Sequence, residues 1–202
     1  MKRIVVALLI VFFQLSFLPA VAQTARQVLD KCAAVVSNPD GMQADFTMNS
    51  SQYGDSSGHI MVKGRKFTAT MPKASLWFDG STLWTYMSNN NEVNVTTPTE
   101  SQLQVLNPYN FINMYKKHFK YEMRKSVSTF KVHLVSTDVQ RKVKEMYITV
   151  DRKTFHPTEV RLLQNQKWTI FTITKLKAVK LDDGKFRFNV HDFPTAEVID
   201  LR

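Results

Sequence analysis

The stretch WFDGSTLWTY, residues 77–86, decides how this chain is read. One apolar run enters Asp79-Gly80 and a second leaves it. That is the strongest short-range signature of a β-hairpin, because glycine tolerates the positive φ of a tight turn. Trp77, Phe78, Leu83, Trp84 and Tyr86 load both faces of the hairpin. Side chains alternate across a strand, so one face packs inward and the other needs a cover or a ligand.

Short strands extend from this hairpin in both directions. Met42, Ala44, Phe46 and Met48 alternate with polar residues, and strands are predicted at 59–63, 66–71, 75–79, 82–87 and 92–96. Gly64-Arg65 and Asn89-Asn90-Asn91 supply turns in this antiparallel meander. Strands resume at 121–125, 130–136, 144–150, 158–163 and 168–176, and Phe186-Arg187-Phe188 is predicted as a last short strand. A helix is predicted over 24–36, where Val28, Leu29, Cys32, Val35 and Val36 recur at helical spacing behind Thr24 as cap. Between 98 and 118 the meander breaks into two short helices. Thr99 with Gln102 forms a capping box for the first, and Pro108 opens the second, which ends in Lys116, Lys117 and His118. The architecture is one mainly β (α+β) domain. A long antiparallel sheet curls, and its concave side must be filled. The short helices either plug that side as ordinary core or cover an incompletely filled cavity, and the pattern alone allows both.

The N-terminus predicts export. Met1-Lys2-Arg3 is a basic start, residues 4–18 are apolar except for Gln14 and Ser16, and Ala20-Val21-Ala22 is a small-x-small cleavage pattern. Residues 1–22 are therefore expected to be a signal peptide cleaved after Ala22, and residues 23–202 a single domain in the periplasm. Removing Lys2 and Arg3 from the 27 basic residues leaves 25 against 17 acidic ones, a mature charge of about +8. A single cysteine excludes an internal disulfide, so packing must hold the fold even in an oxidising compartment. The basic balance suits an anionic membrane surface or an acidic partner. Export, and the lack of any helix-turn-helix, zinc-finger or RNP pattern, argue against nucleic acid.

Catalytic patterns are missing from the sequence. The five histidines stand in different elements and never at metal-ligand spacing, and there is no nucleophile elbow, Walker loop or metalloprotease motif. Asp79 is flanked by aromatics, but its turn position explains it without chemistry. A binding protein is expected rather than an enzyme, with no cofactor and no metal.

The motifs now support a resemblance. Val28-Leu29-Asp30-Lys31, Ala44-Asp45-Phe46-Thr47, Gly58-His59-Ile60-Met61-Val62-Lys63, residues 67–72, Asp79-Gly80-Ser81-Thr82-Leu83-Trp84-Thr85-Tyr86, Asn107-Pro108-Tyr109 to Ile112 and Gly184-Lys185-Phe186-Arg187-Phe188 follow in order behind a signal peptide. The chain resembles the LolA family of periplasmic lipoprotein carriers, in a Bacteroidetes-type form. The resemblance implies an unclosed, strongly curved antiparallel half-barrel, with the N-terminal helix and a central helical lid over an apolar cavity. It implies triacylated lipoproteins as cargo, an inner-membrane lipoprotein-releasing ABC transporter as donor and an outer-membrane acceptor, with the carrier a monomer. A lipid-binding or lipoprotein-sensing protein of the same fold is the alternative. The family also has an arginine lid latch just after the second-strand motif. Arg65 stands there, with one residue fewer before Phe67.

Strand alternation and the resemblance together nominate the acyl-binding residues. From the strands these are Phe46, Met48, Phe67, Ala69, Met71, Leu76, Phe78 and Trp84. From the helices they are Leu29, Leu103, Leu106, Tyr109, Phe111 and Ile112. Exposing three acyl chains of some 15 methylenes each would cost on the order of 35 kcal/mol, so such cargo needs a carrier. Flexible methionines suit an adaptable apolar wall. Lys116, Lys117, Lys120, Arg124 and Lys125 are expected to form one basic cluster that docks transiently on the anionic headgroups of a membrane surface or on an acidic partner.

Overall fold

The computed structural model describes residues 23–100, 102–103 and 114–202. The predicted signal peptide, and Leu106, Tyr109, Phe111 and Ile112 of the predicted lid, lie outside the described residues.

Helix α1, Ala25–Val36, begins as its sequence dictates. The Thr24 side chain accepts from the Gln27 amide, and the Gln27 side chain accepts from the Thr24 amide. This satisfies two of the amide donors that a helix start leaves open. Val28, Leu29, Cys32, Ala33 and Val36 form its buried face.

Twelve strands follow: β1 Met42–Ser50, β2 Ser56–Lys63, β3 Lys66–Met71, β4 Ala74–Phe78, β5 Leu83–Met87, β6 Glu92–Thr96, β7 Phe119–Lys125, β8 Thr129–Ser136, β9 Val143–Asp151, β10 Pro157–Gln164, β11 Lys167–Ala178 and β12 Glu197–Asp200. They form one sheet in the order β12-β6-β5-β4-β3-β2-β1-β11-β10-β9-β8-β7. The sheet is unclosed, with β12 and β7 as its edges. Register slips between β1 and β11 and between β9 and β10 add local twist. At the first slip Lys175 takes φ +51° and reaches back to Asp45, 2.9 Å away.

The core lies on the concave side. It joins α1 to Ala44, Phe46, Ile60, Val62, Phe67, Phe78, Leu83, Val132, Leu134, Met146, Ile148 and Val160, and Leu103, Met114 and Tyr115 from the 97–118 segment are buried in it. Tyr115 donates its hydroxyl to Asp30 of α1, and Tyr121 of β7 donates to the Tyr115 carbonyl. The described inward residues of that segment are therefore packed core.

One expectation is corrected at the C-terminal side. Asp183–Phe186 is a 3-10 turn, not the start of a strand over Phe186-Arg187-Phe188, and the last strand is β12. Asp182 caps the turn by accepting from the Gly184 amide at 2.8 Å, so the Asp-Asp-Gly run continues as a helical turn. Residues 179–200 cross the convex face as a strap. The amides of Val179 and Leu181 donate to the carbonyls of Gly41 and Asp40. Phe188 and Phe193 then pack on Trp77, each at 5.5 Å between ring centroids, and Phe193 packs on Tyr86 at 4.6 Å. Finally β12 pairs in parallel with β6. The second aromatic face of the 77–86 hairpin is thus covered by the chain itself.

Candidate functional site

Strand direction gives the sheet two ends. Ser50, Met71, Ser136 and Gln164 lie at one, here called the rim, and Met42, Phe78 and Asp151 lie at the other, the base. At the rim the concave side holds an apolar recess of about 170 Å³. Its wall comes from Phe46 and Met48 of β1, Ile60 of β2, Ala69 and Met71 of β3, Leu76 of β4, Leu162 and Gln164 of β10, and Thr169 and Phe171 of β11. Tyr53, on the β1–β2 loop, stands at its mouth. The recess meets a wider groove of about 1110 Å³ along the rim through their shared residues Met48, Tyr53 and Met71.

Local chemistry holds that mouth. The buried hydroxyls of Ser50 and Thr169 hydrogen-bond to each other at 2.8 Å, so neither is left unsatisfied in an apolar wall. The amides of Gln52 and Tyr53 both donate to Ser50 Oγ at 3.3 Å, and Gly54 turns the loop at φ +78°. On β2, Gly58 faces Phe46. A Cβ there would lie 2.3 Å from the Thr70 carbonyl oxygen and 2.9 Å from Met71 Cγ. The glycine is what lets Phe46 and Met71 approach the strand.

Five of the nominated residues line the recess: Phe46, Met48, Ala69, Met71 and Leu76. Leu29, Phe67, Phe78 and Leu103 lie instead in the packed core, with Phe67 against Phe78 at 5.5 Å between centroids. Trp84 is on the other face. It pairs with Trp77 across the hairpin, while Phe78 pairs with Leu83. The inward residue of that strand is Leu83, because the four-residue loop 79–82 sets the parity of the return strand. Tyr53, Ile60, Leu162, Gln164, Thr169 and Phe171 complete the lining and are not among the nominated residues. For Ile60, Leu162 and Phe171 the signal was present, since each sits at an inward position of an alternating strand. Arg65 Nη2 lies 2.6 Å from Glu100 Oε1, with both side chains mostly exposed. The expected basic cluster is divided, because Lys116, Lys117 and Lys120 lie toward the rim, whereas Arg124 and Lys125 end β7 at the base.

The groups whose pKa is displaced stand apart from the recess wall. Burial pushes the Cys32 thiol up to about 12. Burial and the Asp30 carboxylate hold the Tyr115 phenol protonated far above its usual range. For Asp79, burial acts upward but is outweighed by the Thr82 and Ser81 amides and by Arg187, leaving the carboxyl below its ordinary value. Asp79 accepts from those amides at 2.9 and 3.0 Å, which is a turn-holding role. His59 and His133 pair with Asp45 and Glu145, and among the described residues no group of His, Cys, Asp and Glu is placed to hold a metal.

An unclosed half-barrel with an apolar recess at its rim is the class of protein this geometry defines. The model of the family described as outer membrane lipoprotein carrier protein LolA matches residues 15–166, and the chain belongs to that family. Among solved structures, an uncharacterized conserved protein from Thermus thermophilus superposes with a TM-score of 0.60 at 12% identity, covering 88% of this chain and 99% of its own. A LolA superfamily protein from Nitrosomonas europaea gives 0.47 at 11%, covering 83% and 99%. MucB in the Pseudomonas aeruginosa MucA/MucB complex gives 0.44 at 12%, covering 81% of this chain and 60% of its own. No curated protein matches by sequence.

Proposed function

We propose that this protein is a periplasmic carrier. It takes acyl chains of lipoproteins into the rim recess and moves them from the inner to the outer membrane. The observation that carries this reading is the recess itself, an apolar wall with two half-buried methionines and only Gln164 and Thr169 as polar members. Unbranched, polarizable Met48 and Met71 adapt to chains of different packing at little cost. Family membership supports the same reading, with triacylated lipoprotein as cargo, a releasing ABC transporter as donor and an outer-membrane acceptor.

A second reading has one observation in its favour. About 170 Å³ is below the roughly 300–1,000 Å³ of ordinary ligand clefts, and so suits part of a single chain better than three. Under it the protein binds or senses a free lipid.

Purification from a native envelope, followed by lipid extraction and mass spectrometry, separates the two. Co-purifying triacylated lipoprotein, lost in Met71→Glu, is the expected result. A phospholipid or polyprenol in its place selects the second reading. Protein that carries neither, from a host making both, ends the carrier proposal.

A further inference from the structure

The rim has a strongly basic sector next to the recess. The Thr137 amide donates to the His118 carbonyl at 2.8 Å, which joins the end of the 97–118 segment to the β8–β9 turn, residues 137–142. Lys116, Lys117, Lys120, Arg141, Lys142 and Lys144 gather there, against Asp138 as the one acid within 116–120 and 137–144. Among the described residues, none of the six is in an ion pair with a carboxylate. Arg141 lies over the Phe119 ring at 5.0 Å, and Lys144 donates to the Val139 carbonyl at 2.6 Å. Val139, at the tip of the turn, is 82% exposed. Gln164 of the recess wall pairs with Val143, so this sector borders the recess.

We propose that this sector docks on the anionic headgroups of a phospholipid bilayer, with Val139 dipping into the interface, so that the recess meets the membrane mouth-first. The inference rests on the acyl-chain reading of the recess, which is what makes the rim the end to present. Unpaired lysines on flexible stems give a diffuse positive field rather than a shaped pocket. That suits a fluid layer of negative headgroups better than a single phosphorylated ligand. The base has a basic turn of its own, around Arg124, Lys125, Arg152 and Lys153 with Val127 at 97% exposure, and it provides the control.

The test is sedimentation of the full mature chain with phosphatidylcholine vesicles, with and without phosphatidylglycerol. Lys116→Glu/Lys117→Glu/Lys142→Glu should weaken binding to the anionic vesicles ~100-fold, from the contribution of each basic residue near such a surface. Arg124→Glu/Lys125→Glu/Lys153→Glu should stay near wild type. All six side chains are exposed, and circular dichroism checks the fold of both variants. As a second readout, Val139→Trp fluorescence should be quenched by brominated lipid in anionic vesicles, and Val127→Trp fluorescence should not. Equal losses in both triple variants, an unaffected rim variant, or quenching at Val127 alone would each overturn the proposal. An unaffected rim variant would assign the patch to an acidic protein. Lipid extraction of the rim variant keeps the two ideas apart: retained acyl cargo leaves the recess reading standing when docking fails, and vesicle binding without cargo does the reverse.

Discussion

The concave side of the sheet is filled in two ways. Where α1 lies, Val28, Leu29 and Cys32 share one buried cluster with Tyr115, Phe67 and Phe78, and nearly every atom is enclosed. At the rim, Phe46, Met48, Met71 and Phe171 face one another across empty space, and both methionines are only half buried. The same alternating strands supply both regions: β3 gives Phe67 to the first and Met71 to the second, four residues apart. What differs is what arrives from elsewhere in the chain. A helix and its neighbours cover one part of the strand and leave its end open. Packing is close where covered, and a small void stays where it is not.

The sharpest way to break this comparison is along β3. Phe67→Ala should cost about 3–5 kcal/mol by denaturant titration, the usual loss for a fully enclosed phenylalanine. Met71→Ala should cost clearly less. Phe67→Glu should fail to fold, whereas Met71→Glu should fold and lose acyl-chain binding. Similar stability losses at both positions would make the recess ordinary core.

Cys32 gives the next effect. Its thiol is pushed up to about 12 in the fold, while an unfolded chain ionises it near 8.5. A raised folded pKa means that stability is whole below the unfolded value and falls as pH rises toward the folded one. The loss should run at about 1 kcal/mol per pH unit above roughly pH 9, and Cys32→Ala, with its own fixed cavity cost, should remove that slope. Urea titrations from pH 8 to pH 11 measure it.

Gly58→Ala sharpens the view of the recess. Its Cβ would press on the Thr70 carbonyl and Met71, at a cost of about 1–3 kcal/mol, and Met71 would be driven into the void. Cargo capacity should fall more than stability. If cargo is unchanged, Met71 does not bound the binding space.

The smallest effect is expected at Arg65. An exposed pair with Glu100 contributes about 0–1 kcal/mol, so Arg65→Ala should barely move stability. A large drop in one-way transfer with stability intact would give that arginine the latch role that its position implies.

Much of this fold was readable in the chain because its signals are local. The Thr24–Gln27 cap, the alternation of Met42 to Met48, and strands 66–71 and 92–96 depend on neighbours within a few residues, and the structure bounds the latter two as expected. Trp84 was misassigned because alternation does not carry through a turn; the loop's residue count decides the face. β12 was invisible because Glu197–Asp200 is short and half acidic, and its partner β6 is about a hundred residues away. The recess was half legible for a related reason. Sequence shows which side chains point inward, but not which of them a helix will later cover.

The parallel pairing of β12 with β6 bears on the order of folding events. The hairpins of residues 56–96 need only nearby partners and can form early. The pairing of Glu197 with Glu92 must close a loop of about a hundred residues. Until it does, β6 is a bare edge, and Trp77 and Tyr86 are without Phe193. A half-folded molecule therefore presents an open strand beside a sticky aromatic plate, the template on which two copies would join edge to edge. This late contact is also the sheet's guard against self-association, and until it forms that guard is missing.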